Sequence, residues 1–336
     1  MRVLVSAFDA GSSGISSYTQ ELAKLLSKDV KVSLLAFQDL NLLGVDVIAI
    51  RLRGRSRALP LMTFLRNAER VREVAKEFDL IHETLSPWGS VGQRFVTTRW
   101  GYVSYLELAW IRLTGLSSVE KWGAFPVTLQ HYLMDRRSRR RAKFVIDVSR
   151  ETGHFVPPPV EPRPPKSYQC STLRVLFVSR DLGMPRKNLR VVMEALELVK
   201  VPVELHLVGR GREPGPRPTF QLIRHETLSR EDVISLMREV DLLVLPSTYE
   251  ELGFVGLEAY SVGLPVITSD IPSFRAVFKV SPKFHPRDPR ALANIISSLT
   301  CEELEKMGRE SREYVIRSNE VARRKILELY RLVLHS

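Results

Sequence analysis

The stretch 241–270, DLLVLPSTYEELGFVGLEAYSVGLPVITSD, constrains the fold more than any other part of the chain. A short apolar run, 241–245, ends at Pro246, and a second, 265–268, follows Gly263. Between them there is room for one helix, 254–261, with Gly253 where the chain must turn into it. Strand, loop, helix and strand in this order form a crossover unit, and crossover units build parallel sheets. The same stretch places Glu250 and Glu258 with seven residues between them. A helix start offers free backbone N–H groups and a partial positive charge, which suits an anion such as a diphosphate. One carboxylate precedes that helix and one lies on its first turns, so both can face one mouth and accept hydrogen bonds from sugar hydroxyls.

Strand and helix signals alternate along the rest of the chain. Apolar strands are expected at 2–8, 30–37, 45–52, 79–82, 95–98, 144–149, 173–179 and 203–208. Helices are expected at 15–26, 61–78, 189–199 and 229–240, the last with Ser229 as N-cap and Asp232 at N3. Ile15, Tyr18, Leu22, Leu25 and Leu26 share one helical face. After the 241–270 unit, helices at 289–298, 301–317 and 319–334 finish the chain. At 336 residues the chain is long enough for two domains. Six prolines among the ten residues 156–165, VPPPVEPRPP, make a stiff extended connector. The boundary is placed there, giving domains 1–156 and 157–319.

The bulk numbers narrow the class. Hydrophobic content of 44% and charged content of 26% suit a globular protein with full cores. The chain opens directly into a strand, so no signal peptide is expected, and no run approaches a membrane span. Cys170 and Cys301 are not at metal-ligand spacing, and two thiols do not make a disulfide framework. Their sparse use fits a reducing, cytoplasmic setting.

Charge is unevenly placed. Of the net +12, an excess of nine falls in residues 1–170 and three in 171–336. The densest basic run is 136–143, RRSRRRAK, after a stretch that carries Tyr102, Tyr105, Trp110, Trp122, Phe125 and Tyr132. Basic beside apolar and aromatic residues suits an anionic membrane surface or a phosphate-bearing acceptor. A solvated helix face and an RNA surface read the same way, but no RNA-reading motif accompanies the run, and no nucleic-acid partner is expected.

The 241–270 stretch resembles the E-x7-E signature of retaining glycosyltransferases of family 4. Typical members read E-x-F-G-x-x-x-L-E-A-x-x-x-G-x-P-V. Here Glu250, Gly253, Leu257, Glu258, Ala259, Gly263, Pro265 and Val266 match in register, with Leu252 where Phe is usual. Further likenesses are Gly11 and Gly14 in a G-G-I-x-x-Y-like loop, the strand ending in His82, and Arg180 with Lys187 in an R-x(n)-K loop, Arg186 being a substitute for Lys187. The match is far tighter over 173–293 than over 1–155. Departures are Trp100 where the family carries a histidine near the donor sugar, and Ala276 where it commonly has a glutamate.

The resemblance implies the GT-B fold: two Rossmann-like, doubly wound parallel-sheet domains facing across a cleft, with a final helix, about 320–336, crossing back onto the first domain. It implies transfer of a hexose, with retention, from a nucleoside diphosphate sugar, UDP- or GDP-linked, to an acceptor hydroxyl. No cofactor and no essential metal are implied. Glu250 would bond the hexose and Glu258 the ribose hydroxyls. Arg180 and Lys187 would hold the diphosphate with the amides near Gly253, Phe254 and Val255, and Gly11 and Gly14 would close the cleft. His82 is a candidate cleft residue, with a structural histidine as the alternative. Trp100 is either a sugar-stacking platform or core. A lipid-linked or phosphorylated acceptor would place the protein peripherally at the inner face of the cell membrane. A soluble-acceptor synthase or phosphorylase of the same fold, and a non-catalytic basic binding protein on the same scaffold, are the alternatives. Donor base, acceptor and oligomeric state stay open.

Overall fold

The computed structural model describes residues 1–6, 14–37, 42, 44–54, 59–85, 88–92, 94–100, 118–168, 172–213, 215 and 218–335, with backbone alone for 118–123. The chain divides into two compact units, Met1–Pro159 with Ser318–Ser336, and Val160–Arg317.

Among its described residues the first unit is built on seven strands: β1 (Arg2–Ser6), β2 (Lys31–Ala36), β3 (Asp46–Ala49), β4 (Leu80–Glu83), β5 (Phe95–Arg99), β6 (Phe144–Asp147) and β7 (His154–Phe155). Their order is β3-β2-β1-β4-β5-β6-β7, and every pairing is parallel. The central strands β1 and β4 are almost wholly buried, β1 with a continuous apolar run and β4 with His82 and Glu83 among its buried residues. Helices α1 (Gly14–Leu26), α2 (Pro60–Ala75) and α3 (Ser118–Arg141) accompany the sheet. Leu4, Phe37, Phe64, Val71, Ile81, Trp88, Phe95 and Met134 form one core cluster.

Among its described residues the second unit has six strands: β8 (Leu173–Asp181), β9 (Val203–Arg210), β10 (Gln221–His225), β11 (Leu242–Leu245), β12 (Val266–Ser269) and β13 (Lys283–Phe284). The order β10-β9-β8-β11-β12-β13 is again all parallel. Its helices are α4 (Leu189–Leu196), α5 (Arg230–Glu239), α6 (Phe254–Ser261), α7 (Pro272–Val277), α8 (Pro289–Ser298) and α9 (Cys301–His335), of which α9 continues into the first unit. The start of α5 is closed by a full capping box between Ser229 and Asp232. Its core joins Phe177, Leu205, Leu207, Leu242, Val244 and Ile267 of the strands to Val192, Leu196, Leu292 and Ile296 of the helices.

Several features differ from the sequence reading, among them α3 and the short strands β7 and β13, which were not assigned. The two terminal helices are one: no glycine or proline interrupts the chain after Gly308, so nothing stops α9 at Ser318. The strand β10 occupies part of an expected loop, and α7, opened by Pro272, follows β12 where no helix was assigned. Cys301 is disulfide-bonded, which corrects the expectation of reduced thiols.

In each sheet the strand order reverses once, between β1 and β4 and between β8 and β11. Loops leave the carboxyl ends of neighbouring strands in opposite directions at such a point, and the crevice between them is where open α/β sheets bind ligands.

Candidate functional site

The second unit fills its switch point with charge. Strand β8 breaks register between Val178 and Asp181, so Arg180 sits in a bulge at its end. Ser179 Oγ donates to the Asp181 carbonyl at 2.6 Å and fixes the bulge. Gly209 on β9 passes directly beside it. At φ +147°, a Cβ on residue 209 would lie 2.0 Å from the Ser179 carbonyl oxygen, so no larger residue fits this approach. Arg180 is exposed and makes no ion pair among the described residues.

The chain then makes a tight turn, Pro185–Lys187, and leaves it at Asn188, whose φ of +59° is the left-handed conformation that asparagine tolerates best after glycine. Asn188 Nδ2 donates to the carbonyls of Pro246 (3.0 Å) and Pro286 (2.7 Å). One side chain therefore staples the loop after β8 to the loop after β11. The Thr248 amide donates to the Arg186 carbonyl at 2.9 Å and adds a second tie.

These ties bring Glu250 onto two cations. Lys187 Nζ donates to Glu250 Oε2, and Arg186 Nη1 donates to the same oxygen at 3.2 Å. Ser273 Oγ donates to the Glu250 backbone carbonyl at 2.6 Å and holds the loop from the α7 side. The Glu250 side chain is 13% exposed, and Lys187 and Arg186 are 20% and 25% exposed. Burial opposes ionisation of Glu250, but the nearby charges of Lys187 and Arg186 outweigh it and hold the carboxyl below its usual range. The result is a fixed carboxylate with two cations whose remaining N–H donors can reach a second anion.

Helix α6 begins beside this cluster. Gly253 is its N-cap at φ +69°, and no side chain caps the end. A Cβ at residue 253 would lie 2.7 Å from the Phe274 ring, so glycine is required by conformation and by space. The Phe254 and Val255 amides are thus among the uncapped donors of an eight-residue helix. Glu258 lies one turn further in, 7% exposed, with Oε1 accepting from Arg230 Nε at 2.5 Å.

The structure brings together Lys187, Arg186, Glu250, Gly253, Phe254 and Val255, and places Glu258 behind them. Gly14 is the exposed first residue of α1 in the first unit, and Gly11 lies outside the described residues. Of the two readings given for His82 and for Trp100, both residues take the structural one: each is buried in the first unit. His82 is wholly buried, with Nδ1 on Tyr330 Oη at 2.6 Å and Nε2 on Thr98 Oγ1 at 2.9 Å. Burial lowers its pKa to about 3, so the ring is neutral and both nitrogens are spent on the fold. Trp100 Nε1 donates to the Thr84 carbonyl, and its ring meets Tyr18 edge-on at 4.9 Å. The apolar surroundings that make a good sugar platform also make a good core, and here they make core.

Sequence reasoning missed the Asn188 staple, the Ser273 tie and the Arg230–Glu258 pair. Asn188 carried a signal, since asparagine after a basic turn marks a left-handed residue. The others join segments too far apart in sequence to be paired by pattern. Among the described residues, no group of three or more His, Cys, Asp or Glu is placed to hold a metal ion.

Residues 172–302 match the family Glycosyl transferases group 1. This interval contains the whole cluster just described. A phosphatidyl-myo-inositol mannosyltransferase of Mycobacterium leprae is 34% identical over 137 residues, 37% of this chain and 36% of that protein. The chain thus matches about a third of that relative's length. Among solved structures, sucrose-phosphate synthase from Thermosynechococcus elongatus aligns over 100% of this chain and 99% of its own, at 16% identity and TM-score 0.75. Anabaena HepE, solved with UDP and glucose, aligns over 98% and 99%, at 15% identity and TM-score 0.68. With both sheets parallel and doubly wound, the fold is GT-B.

Proposed function

We propose that this protein is a retaining glycosyltransferase of the family 4 type. It moves a hexose from a nucleoside diphosphate sugar, UDP- or GDP-linked, to an acceptor hydroxyl. The observation that carries the reading is the Glu250–Lys187–Arg186 cluster at the β8/β11 switch point, beside the uncapped start of α6. Glu250 accepts hydroxyl donors of the hexose. Lys187, Arg186 and the exposed Arg180, with the Phe254 and Val255 amides, take the diphosphate. By the family resemblance, Gly11 and Gly14 are further donor-binding residues.

In the proposed reaction the bond between C1 of the sugar and the β-phosphate oxygen breaks, and the electron pair leaves with the nucleoside diphosphate. The acceptor oxygen bonds C1 on the same face, and its proton passes to the departing β-phosphate. Charge builds on that phosphate in the transition state, where fixed cations and amides stabilise it without reorganisation. No resident cofactor or essential metal enters this scheme.

The acceptor reading is a lipid-linked or phosphorylated hydroxyl compound at an anionic membrane face. Phe125, Leu129 and Leu133 stand exposed at four-residue spacing along α3, one helical face. Arg136, Arg137, Arg140 and Arg141 continue the helix as exposed cations. Apolar side chains for the acyl boundary beside arginines for the headgroups suit a bilayer surface. The mannosyltransferase relative, named for a phosphatidylinositol acceptor, supports a phosphate-bearing acceptor. Peripheral attachment to a membrane face follows from the same reading. Among the described residues, no helix is long and apolar enough to cross a membrane.

The test is a thermal-shift screen with UDP, GDP, their hexose conjugates and ADP as control, followed by donor turnover with anomer assignment by NMR. Stabilisation by one nucleotide family, lost in Glu250→Gln and Lys187→Ala, supports the reading. No shift with any nucleotide, with binding to acidic vesicles retained, supports a non-catalytic basic binding protein instead.

A further inference from the structure

The Glu258 carboxylate sits where a charge is costly. It is the fifth residue of α6, 7% exposed, and its neighbours Leu257, Ala259 and Tyr260 are all buried. A carboxylate removed from water in such surroundings must be paired or it loses its charge. Arg230 supplies the pair, Nε to Oε1 at 2.5 Å. The guanidinium is itself well placed to do so. Arg230 is the first residue of α5, inside the Ser229–Asp232 capping box, which fixes the point from which its side chain leaves. Its Cζ lies 5.8 Å from the ring centroid of Phe254, the first residue of α6, so the same guanidinium also touches the aromatic ring at the helix start.

We infer that Arg230 is a positioning residue of the donor site: it holds the Glu258 carboxylate charged and aimed so that it accepts the ribose hydroxyls of the nucleotide. The inference rests on the donor-site reading above. An ionised carboxylate is acceptor-only, with about four acceptor positions across its two oxygens, so a carboxylate held charged by Arg230 is the form that can accept from hydroxyl donors. A protonated carboxyl would present a donor to the same hydroxyls. Arg230 acts through Glu258, and its mark is therefore discrimination between ribose and deoxyribose, which a purely structural ion pair would not set.

The experiment measures binding of UDP and GDP, and of their 2′-deoxy and 3′-deoxy counterparts, to the full chain by calorimetry. Wild type, Arg230→Gln, Arg230→Lys, Glu258→Gln and the Arg230→Gln/Glu258→Gln double variant are compared, with ligand-free melting as the folding control. Wild type is expected to prefer the ribonucleotide by about tenfold, the worth of one hydrogen bond to a charged group. Arg230→Gln should lose most of that preference, Arg230→Lys should retain part of it, and Arg230→Gln should change nothing further in the Glu258→Gln background. If Arg230→Gln does not fold, Arg230→Lys and Glu258→Gln still decide: retention in the first and loss in the second support the inference. An unchanged or increased ribose preference in folded Arg230→Gln overturns it. Wild type that binds UDP or GDP with no ribose preference also overturns it while leaving the donor site standing. Wild type that binds no diphosphate removes both.

Discussion

The two parallel sheets share one plan and finish it differently. At the carboxyl ends around β1 and β4, the first unit places Ser6, His82, Glu83 and Thr84, all wholly buried. Thr84 Oγ1 bonds the Ser6 carbonyl at 3.0 Å and Thr19 Oγ1 at 2.7 Å. Glu83 accepts from the Gly89 amide (2.6 Å), Thr97 Oγ1 (2.7 Å) and Ser138 Oγ (3.0 Å). The second unit puts Arg180, Arg186, Lys187 and Glu250 at the equivalent place, all at least partly exposed. One switch point is knitted shut among the described residues, and the other keeps charge and donors within reach of solvent. The lesson is that a doubly wound sheet supplies a crevice, while the side chains at its mouth decide between core and chemistry.

The comparison breaks first on activity. Glu250→Gln and Lys187→Ala should each lower donor turnover by about 100- to 1,000-fold with the circular dichroism unchanged, the scale of losing one fixed electrostatic partner. Turnover near wild type in either would remove the contrast between the two mouths. Next in size is Gly253→Ala. The residue must hold φ +69° with a methyl pressed on Phe274, so a loss of about 2–3 kcal/mol in chemical denaturation is expected. A loss below 0.5 kcal/mol would mean that the start of α6 is not fixed as described.

The knitted mouth has its own test. Burial raises the Glu83 pKa to about 7, with the bonds from Thr97, Ser138 and Gly89 opposing it and the nearby Asp135 charge adding to it. The folded state therefore holds a proton that the unfolded carboxyl releases near pH 4.5, and this contribution to stability is lost as pH rises from about 4.5 through about 7. His82 works in the opposite sense: its lowered pKa costs stability as pH falls from about 6.5 towards 3. Glu83→Gln removes the first slope alone. From pH 5 to pH 8, wild type should lose about 2 kcal/mol relative to that variant in urea melts. Parallel pH profiles would show that Glu83 is not the buried acid described.

The smallest stability effect is expected on α3. Replacing Arg136, Arg137, Arg140 and Arg141 by glutamine should change the melting point by no more than about 2 °C, because exposed charges contribute little. The same variant should no longer sediment with anionic vesicles at low salt. Retained sedimentation would remove α3 as the proposed membrane-binding face.

Much of the second unit was legible because its signals are local. Strand–loop–helix–strand over 241–270, helix 254–261 and the Ser229 cap all declare themselves within a few residues, and α6 and α8 appear at the expected bounds. The parallel α/β class followed from their alternation, and the GT-B class from the family resemblance that the 241–270 residues carry. What stayed hidden depends on contacts across the chain. His82 reads as a free strand-end histidine until Tyr330, 248 residues away, is seen on its Nδ1. Arg230 reads as an ordinary first-turn residue until Glu258, 28 residues on, meets it. The α3 helix was obscured by arginines and aromatics that fit several surfaces equally well, and β10 by the short, half-buried character of an edge strand.

The close passage of Gly209 beside the β8 bulge ties two distant positions into one inherited unit. A side chain at 209 would collide with the Ser179 carbonyl, so the bulge that presents Arg180 survives only while residue 209 stays glycine. In a set of related chains, position 209 becomes a marker. Where it is glycine, the cation at the end of β8 can keep this presentation. Where it is anything larger, the strand must run straight, the arginine must turn, and the proposed diphosphate contact has to be sought on other residues.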